Sequence, residues 1–157
     1  MIERLRRLIP GLWAGLLLSI AAIAAPAVFA MLDRADAGAA MGRILGRIFV
    51  VEAWTSLLLA VLLLAIERGR ARNRDRASEG SVLSAEMLLV LATVFCTVAG
   101  YFAIQPLMPA ARAGLGAFSF GQFHAISSVF FSLKIVLLVV LAWRAAGPAT
   151  ISRRPSS

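Results

Sequence analysis

Two ionisable residues, Glu52 and Lys134, stand inside otherwise apolar runs of this 157-residue chain, and they are the first place to look for chemistry. Glu52 lies in ILGRIFVVEAWTSLLLAVLLLAI, and Lys134 in HAISSVFFSLKIVLLVVLAW. An unpaired charge at the centre of a membrane helix costs about 2.5–3.5 kcal/mol on insertion scales. A carboxylate facing an ammonium offsets much of that cost, so the two are expected to pair inside a helix bundle. Helical spacing puts Thr55 and Ser56 on the face of Glu52, and it aligns Ser127, Phe131, Lys134 and Leu138 in one stripe with His124 near its upper end. Thr93, Thr97 and Gly100 give a third run a mildly polar face. A buried polar seam of this kind is either structural glue between helices or a path for a proton or cation, and both readings stay open.

Other chemistries are poorly supplied. A single cysteine, Cys96, excludes a disulfide framework, a cysteine-based zinc site and an iron–sulfur cluster. A single histidine, His124, excludes the two-histidine zinc motifs. Thioethers and imidazole suit copper(I), which makes Met31, Met41, Met108 and His124 a conceivable metal set, with Asp33 and Asp36 nearby. His124 is also a conceivable haem ligand with Met or Lys opposite. No two of these residues have the spacing of a tight ligand motif, so neither a metal nor a cofactor is expected. There is no Ser–His–Asp set, phosphate loop or pair of carboxylates, and the chain is read as a non-enzyme.

The elements that carry these residues follow from composition. The chain is 61% hydrophobic and 15% charged, against about 45–50% and 25% in soluble domains. That balance excludes a soluble enzyme fold and a disordered chain. About 20 apolar residues cross a bilayer, and four such runs are present, at about 11–32, 36–66, 83–104 and 124–143. The expected fold is an all-α integral membrane protein, a four-transmembrane-helix bundle at 11–144, with a cytoplasmic N-terminal segment at 1–10 and a disordered cytoplasmic tail at 145–157. The apolar run ending at Ala30 resembles a signal peptide, but it exceeds the usual signal core, and the first span is expected to be retained.

Arginine placement sets the orientation. Arg4, Arg6, Arg7, Arg68, Arg70, Arg72, Arg74, Arg76, Arg144, Arg153 and Arg154 fall on one side, against Arg34, Arg43 and Arg112 on the other. The positive-inside rule then puts both termini in the cytoplasm. The basic loop is read as solvated and lying near anionic lipid headgroups, with no nucleic-acid partner. Glu52 sits roughly 12 Å and Lys134 roughly 15 Å below the external boundary at 1.5 Å per residue, so their depths match within a helical turn.

Small residues suggest where helices approach each other closely. Gly11, Gly15, Ser19, Ala22 and Pro26 form a ridge on the first span, with Pro26 expected to kink it, and Gly38, Gly42 and Gly46 form one on the second. Asp36 is the expected N-cap of that second helix. Arg43 and Arg47 lie on another face of it and are expected to reach external headgroups. The glycine ridge also makes a second copy or a membrane-protein partner an expected neighbour. The loop QPLMPAARAGLGAFSFGQF is expected to lie at the interface as a short helix or re-entrant cap.

Trp13-x-Gly15, Pro26-x-x-Phe29, Ala37-Gly38, Gly42 and Phe49, followed by Tyr101, Pro106-x-Met108 and Phe123-His124-x-x-Ser127-Ser128, resemble a four-span family from about Leu12 to Trp143. That family is domain of unknown function 4149, also called the transmembrane protein 205-like domain. The resemblance implies a small integral membrane protein without an established reaction, and it makes His124 and Ser127 the leading polar-site candidates. The family pattern often has Asn one turn after the serine pair, where this chain has Phe131. The four-span layout is also similar to that of the copper-resistance D family and of some haem-handling membrane proteins. The expected role is transport or sensing of a small solute or cation in a bacterial inner membrane. An accessory subunit of a membrane complex is the alternative, and a haem- or copper-binding protein the second.

Overall fold

A backbone N–H or C=O left without a partner in lipid costs several kcal/mol, so a chain this apolar must satisfy its backbone within helices. The computed structural model describes residues 2–31, 34–75 and 84–147, and leaves out the side chains of residues 2, 34–42, 44, 45 and 73–75. The described residues form α1 (Ile2–Ser19), a π-helical stretch Ile20–Ala24, α2 (Ala25–Met31), α3 (Arg34–Asp75), α4 (Ala85–Thr97), a second π-helical stretch Val98–Ile104, a 3-10 turn Gln105–Leu107, α5 (Met108–Arg112) and α6 (Phe120–Ala146). Four helical segments are long and apolar enough to cross a membrane: Glu3–Met31, Gly46–Arg72, Ala85–Arg112 and Phe120–Ala146. The fold is thus all-α, with no strand among the described residues.

The helices outrun their apolar stretches. α1 starts well before Gly11, because its basic first turns have a buried partner. α3 starts at Arg34, which places Asp36 inside its first turn and corrects the expected cap. α6 ends at Ala146, taking in the first residues of the expected tail; residues 148–157 lie outside the description. Ser84 caps α4 by accepting from the Met87 N–H at 3.2 Å. Ser119 and Gln122 form a reciprocal capping box on α6, at 3.3 and 2.8 Å. Ser119→Ala is expected to cost about 1 kcal/mol, seen as faster amide exchange in the first turn of α6 while the rest of that helix stays protected.

Each π-helical stretch ends two residues before a proline, Pro26 or Pro106. A proline ring clashes with the carbonyl four residues back, and widening the preceding turn relieves that clash. The Ala25 N–H accordingly reaches back five residues to the Ile20 carbonyl. Beyond α5, Gly114 and Gly116 take positive φ of 73° and 111°, which reverses the chain into α6. Arg112 lies over the Phe120 ring at 4.4 Å and ties the two ends of this connection together.

α6 packs against both α1 and α4, and α3 packs mainly on α4 and α2 with a lighter contact to α1. α3 and α6 therefore occupy diagonal corners. Ile9, Trp13, Ala14, Leu17, Ala60, Leu63, Val90, Leu138 and Leu141 form the apolar core. Along α3 and α6 the core lies on the side of the bundle where α1 begins and α6 ends, here the basic end. The far half is looser and contains both π-helical stretches.

Two packing expectations are corrected. α1 turns Arg6, Ile9, Trp13, Leu17 and Ile20 inward, so Gly15 and Pro26 face outward with Gly11, Ser19 and Ala22. A Cβ on Gly15 or Gly46 would meet nothing within 4 Å. Among the described residues neither glycine permits a close helix approach; van der Waals contact is instead made by the large residues at three- and four-residue spacing. Gly38 and Gly42 lie outside the described side chains.

Candidate functional site

The bundle axis carries one compact polar cluster. Glu52 is 6% and Lys134 3% exposed, and each points inward from its own corner of the diagonal. The Lys134 ammonium donates to Glu52 Oε1 at 2.5 Å and to Ser56 Oγ at 3.0 Å. The Ser56 hydroxyl donates to the same carboxylate oxygen, closing a three-membered ring of contacts. Among the described residues no hydrogen bond reaches the other oxygen, Oε2. Diagonal helices are too far apart for small side chains to meet, whereas the long lysine stem and the glutamate together span the gap. Lys134 is also the only lysine among 16 basic residues. A compact ammonium on a flexible stem fits a site where the planar arginine fork would demand more partners.

The other corners and the two ends complete the site. Trp13, from α1, places its ring 5.6 Å from Lys134 Nζ, within cation–π range. Among the described residues its buried indole N–H has no hydrogen-bond partner, although buried donors are rarely left unsatisfied. Towards the far end, Phe49 and Phe131 meet edge to face at 5.8 Å, each one turn from its charged residue. Phe131 thus forms, with Phe49, an apolar cap over the pair. Leu138 and Ala60 close the basic side.

The other expected seam residues stand apart from this cluster. Thr55 is half-buried and makes no hydrogen bond with the pair. Ser127 is half-buried two turns along α6. Thr93 and Thr97 donate to carbonyls of their own helix, those of Val90 and Thr93, at 2.7 and 3.0 Å. His124 is exposed, roughly 15 Å along α6 from Lys134, and its ring stacks on Phe120 at 5.8 Å. Met31 is 85% exposed while Met108 is buried, and Met41 lies outside the described side chains. Among the described residues no group of three or more His, Cys, Asp or Glu is placed to hold a metal.

A second cluster at the basic end escaped the sequence reading. Arg6, on the inward face of α1, meets Glu3 at 3.0 Å and Glu67 of α3 at 3.6 Å. Arg70 meets Glu3 at 3.1 Å and Glu67 at 3.3 Å. Both Glu67 and Arg6 are buried. Arg144 at the end of α6 pairs with Glu86 at the start of α4, at 3.0 Å. The available signal was the repeated Glu-x-x-Arg spacing, Glu3 with Arg6 and Glu67 with Arg70, which sets each pair on one helix face. Counting arginines for orientation treated Arg6 and Arg70 as solvated, and so hid it.

Among known families, the one described as "Domain of unknown function (DUF4149)" matches residues 8–117. The matched stretch takes in Trp13, Glu52 and Ser56 and stops before α6. No curated protein and no solved structure matches the chain.

Proposed function

We propose that this chain, which belongs to the DUF4149 family, is a non-enzymatic multi-pass protein of a bacterial inner membrane that moves or senses a small solute or cation at its central polar cluster. One observation carries the reading: a buried Glu52–Lys134 pair crosses the bundle diagonal, where two well-packed apolar residues would hold the helices at least as well. Ionisable residues within membrane spans are expensive, pair with one another and mark ion and proton pathways. The unpartnered Trp13 indole N–H beside the pair supports the same reading, because it leaves a donor for a water or solute oxygen. The positive-inside rule places the basic end in the cytoplasm, so the Phe49–Phe131 cap faces the external side of the pair.

The experiment uses the full chain reconstituted in liposomes with an imposed proton, sodium or potassium gradient. Trp13 serves as the internal fluorophore in a Trp54→Phe, Trp143→Phe background. Wild type is expected to dissipate one gradient, or to change Trp13 emission as that cation is added. The neutral double variant Glu52→Gln with Lys134→Met is expected to lose the response while remaining folded and monodisperse. A wild type that shows neither flux nor an emission change, or a double variant that responds like wild type, overturns the reading.

A further inference from the structure

A separate feature lies at the far end of the bundle and takes no part in the diagonal pair. A cleft of about 360 Å³ opens between α3 and the second π-helical stretch, lined by Gly46, Val50, Tyr101, Phe102, Gln105 and Pro106. Gly46 makes room for it, since a Cβ there would meet nothing within 4 Å. One turn beyond Val50, Trp54 meets the lining residue Phe102 edge to face at 5.7 Å. Val50 and Phe102 are each 40% exposed, so the cleft opens sideways, where lipid surrounds the bundle.

Two exposed arginines, Arg43 and Arg47, stand three residues before and one residue after Gly46 on α3. At about 100° per residue they lie within a quarter turn of the Gly46–Val50 face, close enough for their long side chains to reach the mouth of the cleft. They are also four residues apart, where like charges repel, and neither has an ion pair among the described residues. A single anion shared between two guanidinium groups turns that repulsion into paired charge-assisted hydrogen bonds.

We propose that the cleft holds one anionic phospholipid, drawn from the leaflet at the far end of the bundle. Its phosphate lies between Arg43 and Arg47, and an acyl chain runs over Gly46 and Val50 towards the Trp54–Phe102 ring pair. The Tyr101 hydroxyl and the Gln105 amide offer hydrogen bonds at the level of the glycerol esters. A dissolved anion would satisfy the arginines but leave Val50, Phe102 and Pro106 unpaired with any apolar group. An amphiphile satisfies both halves of the site, and it arrives laterally without leaving the bilayer.

Native mass spectrometry of the full chain tests this, with phosphatidylglycerol and phosphatidylcholine of identical acyl chains as probes. Wild type is expected to retain one phosphatidylglycerol with about a tenfold preference over phosphatidylcholine. Arg43→Gln with Arg47→Gln should abolish the preference, and Gly46→Leu, which fills open space, should abolish retention of either lipid. Arg112→Gln, at an exposed arginine engaged with Phe120, should behave as wild type. The proposal is overturned if wild type shows no preference, if Gly46→Leu retains lipid normally, or if Arg112→Gln loses it equally. Displacement of the lipid by millimolar dissolved glycerol phosphate would also overturn it, in favour of a soluble anion.

Discussion

Lys134→Met alone is expected to remove most folded protein from the membrane, and Glu52→Gln added to it is expected to bring the protein back. In the wild-type bundle the Glu52 carboxylate receives the Lys134 ammonium and the Ser56 hydroxyl on one oxygen. Removing the ammonium leaves a carboxylate that is 6% exposed, held by one neutral donor beneath two phenyl rings. Breaking a buried pair from one side costs about 3–5 kcal/mol, a large share of a total stability of about 5–15 kcal/mol. Neutralising both partners removes the stranded charge, and Met fills much of the lysine's volume, so the double variant should fold as well as wild type. The swapped variant, Glu52→Lys with Lys134→Glu, should recover only in part, because Ser56 then sits one turn from an ammonium and no longer donates to a carboxylate. Fluorescence-detected size exclusion of tagged chains would measure all four variants. Normal accumulation of Lys134→Met would show that Glu52 does not depend on Lys134, and a double variant no better than the single would show the same.

Glu67→Gln at the basic end is the second large expected effect, and Glu3→Gln is its internal control. Glu67 is buried, accepts from Arg70 and is ion-paired with Arg6 at 3.6 Å, while Glu3 bridges the same arginines from a side chain that is 52% exposed. Losing the Glu67 charge leaves buried Arg6 with only the half-solvated Glu3, an imbalance expected to cost about 1–3 kcal/mol. Losing the Glu3 charge affects a pair that water already screens, where about 0–1 kcal/mol is usual. A thermal unfolding series in detergent should therefore rank wild type and Glu3→Gln close together and Glu67→Gln well below them. The network is decorative if the two variants melt together. The Arg6–Glu67 contact also joins α1 to α3, whose backbones are otherwise lightly packed, so its loss should loosen the first span before the others.

Much of the architecture was legible along the chain. Four runs of sufficient length, separated by charge and turn residues, admit only helices, because lipid supplies no partners for backbone groups. Glu52 and Lys134 were visible for the same reason: each is an expensive interruption in an apolar run, and only a mutual contact makes both tolerable. Arg6, Arg70 and Glu67 were less visible. Hydropathy windows place them outside the spans, although α1 and α3 carry them inward as a buried lattice of charges.

The chain by itself determined that four segments are long and apolar enough to cross a membrane and which two charges need each other. Only the tertiary structure decided which helices are neighbours and which face of each looks inward. Transfer from water to lipid favours a leucine on the outer face of a span as strongly as one in its core, so an all-round apolar helix has no preferred side in its sequence. Packing selects the side afterwards. It chose the large face of α1, turning Gly15 to the lipid and Trp13 to the axis, and it set α3 and α6 on the diagonal, a gap that the side chains of Glu52 and Lys134 are long enough to close.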